Sequence, residues 1–487
     1  MSTYPSGDTP APPDDHPAAA PAATSRKAGT AVRPQLLRLH FYAGVFVGPF
    51  ILVAAITGLL YALIPQIDNL VYRHELTVGH VGEQRLPLAD QLAAVRAAHP
   101  EGTVRSIRPP DAADETTQVT LAVDDVPPDY ARTVFIDPYT GEIRGALTTF
   151  GQWMPLRAWF DELHRTLHLG VIGRNYSELA ASWLWVISLA GLVLWYFHRK
   201  DTGKLRRLAA PDRSGRGRRR TMSWHGAVGV WIVVALLGLS VTGVTWSRYG
   251  GASVNLLQQH LNTTAPAVDT ALAPTGPGGG SPGHHRAAAA ESGTEPSLYG
   301  VDTALRSATD AGLRGPIWMY PPADPGQGWE VAENKRDWPT RYDAIAVDPG
   351  TGAVTDRVDF ADWPLLAKLT DWAIGAHMGI LFGIPNQTLL ALTAIGLITI
   401  VARGYVMWWQ RRPTRGPAWA VGRAPMRGAV RDLPPMGIVV TGVAALAVGW
   451  SLPLFGVSLA ALIVVDVIVG AVKRRRNAQQ HQEGSDV

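Results

Sequence analysis

Four of the 14 histidines stand in a pattern that could carry chemistry. His40 is followed by Gly44, Thr57 and Gly58, and His225 is followed at identical spacing by Gly229, Thr242 and Gly243. His164 is followed by Gly170, Gly191 and Trp195, and His377 at identical spacing by Gly383, Gly404 and Trp408. The chain therefore repeats one unit, and each copy carries one histidine ahead of each of its two apolar blocks. Imidazole is an axial ligand of haem iron, and two histidines from facing helices make an electron-transfer centre. His40 with His225, and His164 with His377, would give two such centres, one near each face of a membrane. The plainer reading stays open: interfacial histidines that cap helix ends or pack on one another.

Other residues compete for, or would complete, these sites. His168 lies four residues after His164 and shares its helix face, so either could be the ligand. His198 is the rival near the other face, although its repeat counterpart is Arg411. Arg38 and Arg403 are candidates to hold haem propionates. Ionisable groups at membrane depth are costly and normally have partners. Arg403 could instead pair with Asp466, or both could snorkel to the surface. The remaining histidines are easier to set aside. His16, His284, His285 and His481 fall in stretches of low complexity, and His74, His80, His99 and His260 lack metal-ligand spacing.

The elements that must position the four histidines are apolar helices. Hydrophobic residues make up 47% of the 487-residue chain and charged ones only 17%, against about 25% in an average soluble protein. The missing charge is concentrated in blocks at 41–64, 179–197, 224–246, 387–401, 437–452 and 454–472. A helix of about 20 apolar residues crosses a bilayer. The fourth block reaches that length by continuing past Arg403 to Trp409, and the last two, meeting near Pro453, read as a hairpin.

Arg33 and Arg38, the ten basic residues between Arg199 and Arg220, Arg411 with Arg412, and Lys473 to Arg476 all fall on one side if the chain crosses six times. The positive-inside rule makes that side, with both termini, cytoplasmic. The pI near 9.3 then reflects topology and gives no reason to expect nucleic-acid binding. Trp195, Trp224, Trp246, Trp408 and Trp409 fit an interfacial aromatic belt.

The expected order is a disordered tail (1–32), span 1 (33–66), a first outer domain (67–153), span 2 with a lead-in helix (154–198) and a basic loop (199–222). Span 3 (223–247) follows, then a second outer domain (248–362) with a Gly/Pro-rich linker (263–292), and span 4 with its lead-in helix (363–412). A loop (413–435), spans 5 and 6 (436–472) and a tail (473–487) complete it. Each outer domain reads as a helix on a small antiparallel sheet. The first has a helix-like stretch at 88–98 and strand-like stretches at 103–108 and 117–123. The second has 298–311, then 315–320 and 328–332. Asp137-Pro-Tyr-Thr-Gly141 matches Asp348-Pro-Gly-Thr-Gly352, turn chemistry in which Pro presets φ and Gly accepts φ > 0. There is no cysteine, so disulfides and thiolate metal sites are excluded.

These features together resemble the PepSY-associated transmembrane family. The likeness rests on the two helix-plus-sheet units with Asp-Pro-x-Thr-Gly turns and on the histidine-bearing stretches 163–170 and 376–383, and it covers roughly 33–412. The family is similar to iron-regulated membrane proteins, some described as haem-containing siderophore-iron reductases. The resemblance implies an α-helical membrane bundle with two small α+β outer domains, two haem b groups and reduction of a ferric siderophore or ferric iron outside a bacterial inner membrane. No Walker loop, Gly-x-Gly-x-x-Gly fingerprint, His-Glu-x-x-His or nucleophile–base constellation appears. The electron donor is then a membrane quinol or a cytoplasmic reductase. A second class is a membrane-anchored module that binds or inhibits a secreted peptidase, because the outer domain also resembles a peptidase propeptide module. Such an anchor would need only one span. A solute transporter would show broken, charged helices.

Overall fold

The computed structural model describes residues 28–272, 296–411 and 435–483. Most of the expected tail, the expected linker from 273 onward, His16, His284 and His285, and most of the loop at 413–435 lie outside the described residues.

Helix α1 (Ala28–Phe46) and helix α2 (Gly48–Val71) share the first apolar block. They break at Val47, just before Pro49 in the first turn of α2. Pro lacks an N–H and suits a helix start. The Tyr405 hydroxyl donates to the carbonyl of Val45 at 2.9 Å, which satisfies a backbone acceptor where no water is at hand. A short helix α3 (Arg73–Leu76) leads into the first outer unit. That unit is α4 (Leu88–Ala98) with β1 (Thr103–Arg108), β2 (Thr117–Ala122), β3 (Ala131–Ile136) and β4 (Ile143–Thr149). Helix α5 (Pro155–Thr166) and the long α6 (Gly170–Asp201) follow.

The second half opens with α7 (Gly217–Thr245) and α8 (Tyr249–His260). Its outer unit is α9 (Val301–Asp310) with β5 (Ile317–Tyr320), β6 (Trp329–Glu333), β7 (Ala344–Val347) and β8 (Val354–Val358). Then come α10 (Leu365–His377), α11 (Gly383–Trp409), α12 (Pro435–Ser451) and α13 (Pro453–Glu483).

Among the described residues five helical stretches are long and apolar enough to cross a membrane: α2, α6, α7, α11 and residues Pro453–Val472 of α13. Helix α12, where a fifth of six spans was expected, is apolar but shorter. The bundle packs around Ala43, Ile51, Ala55, Trp183, Leu236 and Leu397, with Phe455 of α13 against Trp183.

The outer strands depart from the expectation of two separate small sheets. They form one open eight-stranded antiparallel sheet in the order β4-β3-β2-β1-β5-β6-β7-β8. The seam is β1 against β5, with Ile107 opposite Met319. Each sheet alone would leave its first strand as an unpaired edge, and joining them hides both edges. Helices α4 and α9 cover one face, and Leu92, Val95, Ala304 and Ala308 pack on Ile107, Val119, Met319 and Val331. The seam is also capped: Asp302 at the start of α9 accepts from the Leu88 and Ala89 amides at the start of α4, at 2.7 and 3.1 Å. Helix α4 has no capping side chain of its own, because its N-cap is Pro87.

Candidate functional site

The four repeat histidines meet in two pairs. The rings of His40 on α1 and His225 on α7 lie with centres 6.2 Å apart and planes at 85°. Those of His164 on α5 and His377 on α10 lie 6.4 Å apart at 47°. A metal–imidazole nitrogen bond is about 2 Å, and a ring centre lies roughly 1 Å behind that nitrogen, so two imidazoles that shared one metal ion would have centres up to about 6 Å apart. Both pairs stand at that separation.

Hydrogen bonds fix which nitrogen each ring presents. His40 Nδ1 is 3.0 Å from the carbonyl of Ile187, and His225 Nδ1 is 2.8 Å from that of Ile400. A carbonyl only accepts, so Nδ1 carries the proton and Nε2 keeps its lone pair. His164 Nδ1 lies 3.0 Å from the Thr57 hydroxyl and His377 Nδ1 lies 2.5 Å from that of Thr242. Each hydroxyl has one hydrogen, and each stands within donating distance of carbonyls one turn back: Thr57 on Val53 and Thr242 on Gly238, at 3.0 and 2.9 Å. With those hydrogens on the carbonyls the threonines accept from Nδ1–H, and these two rings then also present Nε2. Neutral imidazole held through Nδ1–H with Nε2 free is the form that binds a metal.

Small residues make room for the rings. A side chain at Gly191 would come within 2.8 Å of His40 Cε1, and one at Gly58 within 3.1 Å of His164 Cε1. Gly404 faces His225 more loosely, at 3.9 Å. The α5–α6 corner that delivers His164 turns through Leu167 and His168, both at positive φ. It also needs Gly173, whose Cβ would overlap the Thr166 carbonyl.

The two pairs are held at different depths of the bundle. His225 and Thr242, the latter beside His377, both lie on α7, so the pairs are about 25 Å apart along it at ~1.5 Å per residue. That is close to the ~30 Å thickness of a bilayer's hydrocarbon core. The His164–His377 pair is nearer the sheet, and the His40–His225 pair is at the opposite end.

The rival ligands lie elsewhere. His168 is exposed and rests against Trp159 with ring centres 4.8 Å apart, and His198 stacks on Trp195 at 5.4 Å. Arg38 and Asp466 form an ion pair. The alternative pairing of Asp466 with Arg403 is thus not the one made, because α13 packs Asp466 beside α1. Arg403 stands over Trp224 at 5.6 Å, beside the His225 pair, and its Nε is buried without a partner among the described residues. Trp195 is also not simply a belt residue. It is 6% exposed, donates to Leu208's carbonyl at 2.8 Å and lies under Arg199, tying the basic loop to α6.

The sequence reading missed Glu178, a fully buried carboxylate on α6 that accepts from the Tyr249 and Gly250 amides at 2.9 and 3.1 Å. It caps the positive end of α8. A lone acidic residue at the edge of an apolar block was the available signal. Among the described residues no group of three or more His, Asp or Glu is arranged to hold a metal ion, so the two histidine pairs are the candidate ligand sets.

The apolar helices and their bilayer-matched length make this a multi-pass membrane protein. No curated protein matches the chain. The family model for the PepSY-associated TM region matches residues 37–411, and the chain belongs to that family.

Proposed function

We propose that the chain carries electrons across the membrane through two haem b groups, one held by His40 and His225 and the other by His164 and His377. The observation that carries this is the repetition of one separation: two imidazole pairs at 6.2 and 6.4 Å, each ring hydrogen-bonded through Nδ1. When bound, haem supplies one-electron redox chemistry at each depth. The chain's part is to orient the imidazoles, to keep water from the space between the helices, and to hold the two centres at opposite ends of the bundle.

In this reading both termini and the basic loop are cytoplasmic and the sheet lies outside, following the positive-inside rule. A quinol in the membrane, or a cytoplasmic reductase, supplies electrons to the His40–His225 end. A quinol gives up two electrons and two protons, whereas Fe(III) takes one electron to become Fe(II), so one quinol serves two ferric acceptors. The acceptor on the sheet side is a ferric siderophore or ferric iron, whose reduction loosens the iron from hard oxygen ligands.

The test is the absorption spectrum of detergent-purified protein from haem-replete cells, oxidised and then dithionite-reduced, with pyridine-haemochrome quantitation. About two haems per chain and a sharp reduced α-band are expected for two bis-imidazole centres. A colourless protein would sink the redox reading and leave the sheet as a binding module on a membrane anchor.

A further inference from the structure

We propose that Arg157 and Arg336 form a two-guanidinium clamp for the carboxylate groups of the macrocycle between His164 and His377. This rests on reading that pair as a haem site. Arg157 lies two turns before His164 on α5, on the same face of the helix. Its guanidinium carbon sits 3.8 Å from the centre of the Trp153 ring. The guanidinium of Arg336 approaches the same ring at 5.4 Å, and its Nη2 lies 3.8 Å from Sδ of Met378, the neighbour of His377. Two cations from opposite halves of the chain therefore converge on one indole, on the sheet side of the histidine pair.

The hydrogen bonding of Arg157 is incomplete. Arg157 is 9% exposed. Its Nε donates to the Tyr61 hydroxyl at 3.3 Å, but its Nη2 is buried without an acceptor. Among the described residues neither arginine makes a contact ion pair, although the Asp68 and Asp161 carboxylates lie within electrostatic reach of Arg157 and the Tyr342 hydroxyl is hydrogen-bonded with Arg336. The indole face offsets part of the desolvation of a guanidinium but gives Nη2 nothing to bond. A buried donor without an acceptor is unfavourable, and a second guanidinium near the same ring adds repulsion. A carboxylate within reach of both guanidiniums would fill the open donor and offset the repulsion. Arginine's planar fork matches a carboxylate at two points, and haem b carries two carboxylates.

The experiment compares Arg157→Gln, Arg157→Lys and Arg336→Gln with the wild type, all as purified full chains checked for monodispersity. Haem per chain and the midpoint potentials of both centres are measured, and His164→Ala identifies the centre on the sheet side. In both glutamine variants that centre is expected to lose occupancy, or to move to lower potential because a nearby positive charge no longer favours the added electron. The centre removed by His40→Ala should be unaffected, and Arg157→Lys should keep more of the native behaviour than Arg157→Gln. If Arg157→Gln fails to accumulate, Arg336→Gln decides, because that residue is only half-buried.

Unchanged occupancy and midpoint would overturn the proposal. So would a clamp that serves a free anion: phosphate would then protect the wild type, but not the glutamine variants, against thermal unfolding while the haem centres stayed unaltered. A wild type without haem would remove the underlying reading instead.

Discussion

The hydroxyl of Thr242 lies 2.5 Å from Nδ1 of His377 and within donating distance of the Gly238 carbonyl, so when it donates to that carbonyl it accepts from the imidazole. Thr57 stands in the same relation to His164. Replacing either threonine by valine keeps the shape and removes the acceptor. Outer partners of a metal-bound histidine typically change affinity by roughly 10–100-fold. Thr242→Val and Thr57→Val should each weaken haem retention by about that factor at the sheet-side centre alone. Dilution or apomyoglobin competition would measure it. Equal loss from both centres would contradict the assignment.

Gly191 and Gly404 occupy equivalent places in the repeat but unequal spaces. A methyl at Gly191 would press on His40 at 2.8 Å, whereas one at Gly404 would rest near His225 at 3.9 Å. Gly191→Ala is expected to displace the His40 ring and cost most of the haem at the end far from the sheet. Gly404→Ala should leave it bound and stabilise α11 by up to about 1 kcal/mol through helix propensity. The haem-to-protein ratio of the two variants decides.

Asp302 caps a helix in the other half of the chain. Removing such a cap typically costs about 1 kcal/mol. Asp302→Ala should lower the stability of the sheet by that order. Hydrogen exchange should be faster in the first turn of α4, at Leu88 to Gln91, with the transmembrane helices unchanged. Protection equal to wild type would mean that the cap is idle.

Asp348 opens the second Asp-Pro-x-Thr-Gly turn, and the amides of Gly350 and Thr351 hold its carboxyl below the usual carboxylate range. A group whose pKa is lower in the folded state contributes stability above its unfolded value, near 4, and loses it as the pH falls through the folded value. The outer sheet should therefore weaken on acidification below about pH 4. Asp348→Asn should flatten that part of the profile, read from intrinsic tryptophan fluorescence against pH.

The histidine pattern was legible because the spacing repeats without a gap, and the α4 helix and β1 strand occupy the residues whose periodicity suggested them, 88–98 and 103–108. The partners of the histidines were less visible. Thr57 and Thr242 appeared as repeat matches, but nothing local says that a threonine one helix away will hold an imidazole. Ile187 and Ile400 contribute carbonyls, which the side-chain alphabet does not encode. The β1–β5 seam was hidden for a similar reason. Strand pairing between distant segments is set by backbone edges, and residues 103–108 and 317–320 carry no turn or periodicity that names their partner. Arg157 and Arg336 carry no motif of their own, and only the fold brings both to the Trp153 ring.

The seam at Ile107 and Met319 ties the two halves of the chain together beyond the ends of their helices. His164 descends from the half carrying β1–β4 and His377 from the half carrying β5–β8, so the helices that deliver those two rings are joined above by a sheet that neither half completes alone. A frame of that kind resists drift in the ligand gap. Under the proposed function such stiffness would lower the nuclear reorganisation that accompanies each change of charge, and the sheet would act as a brace on the rate of transfer.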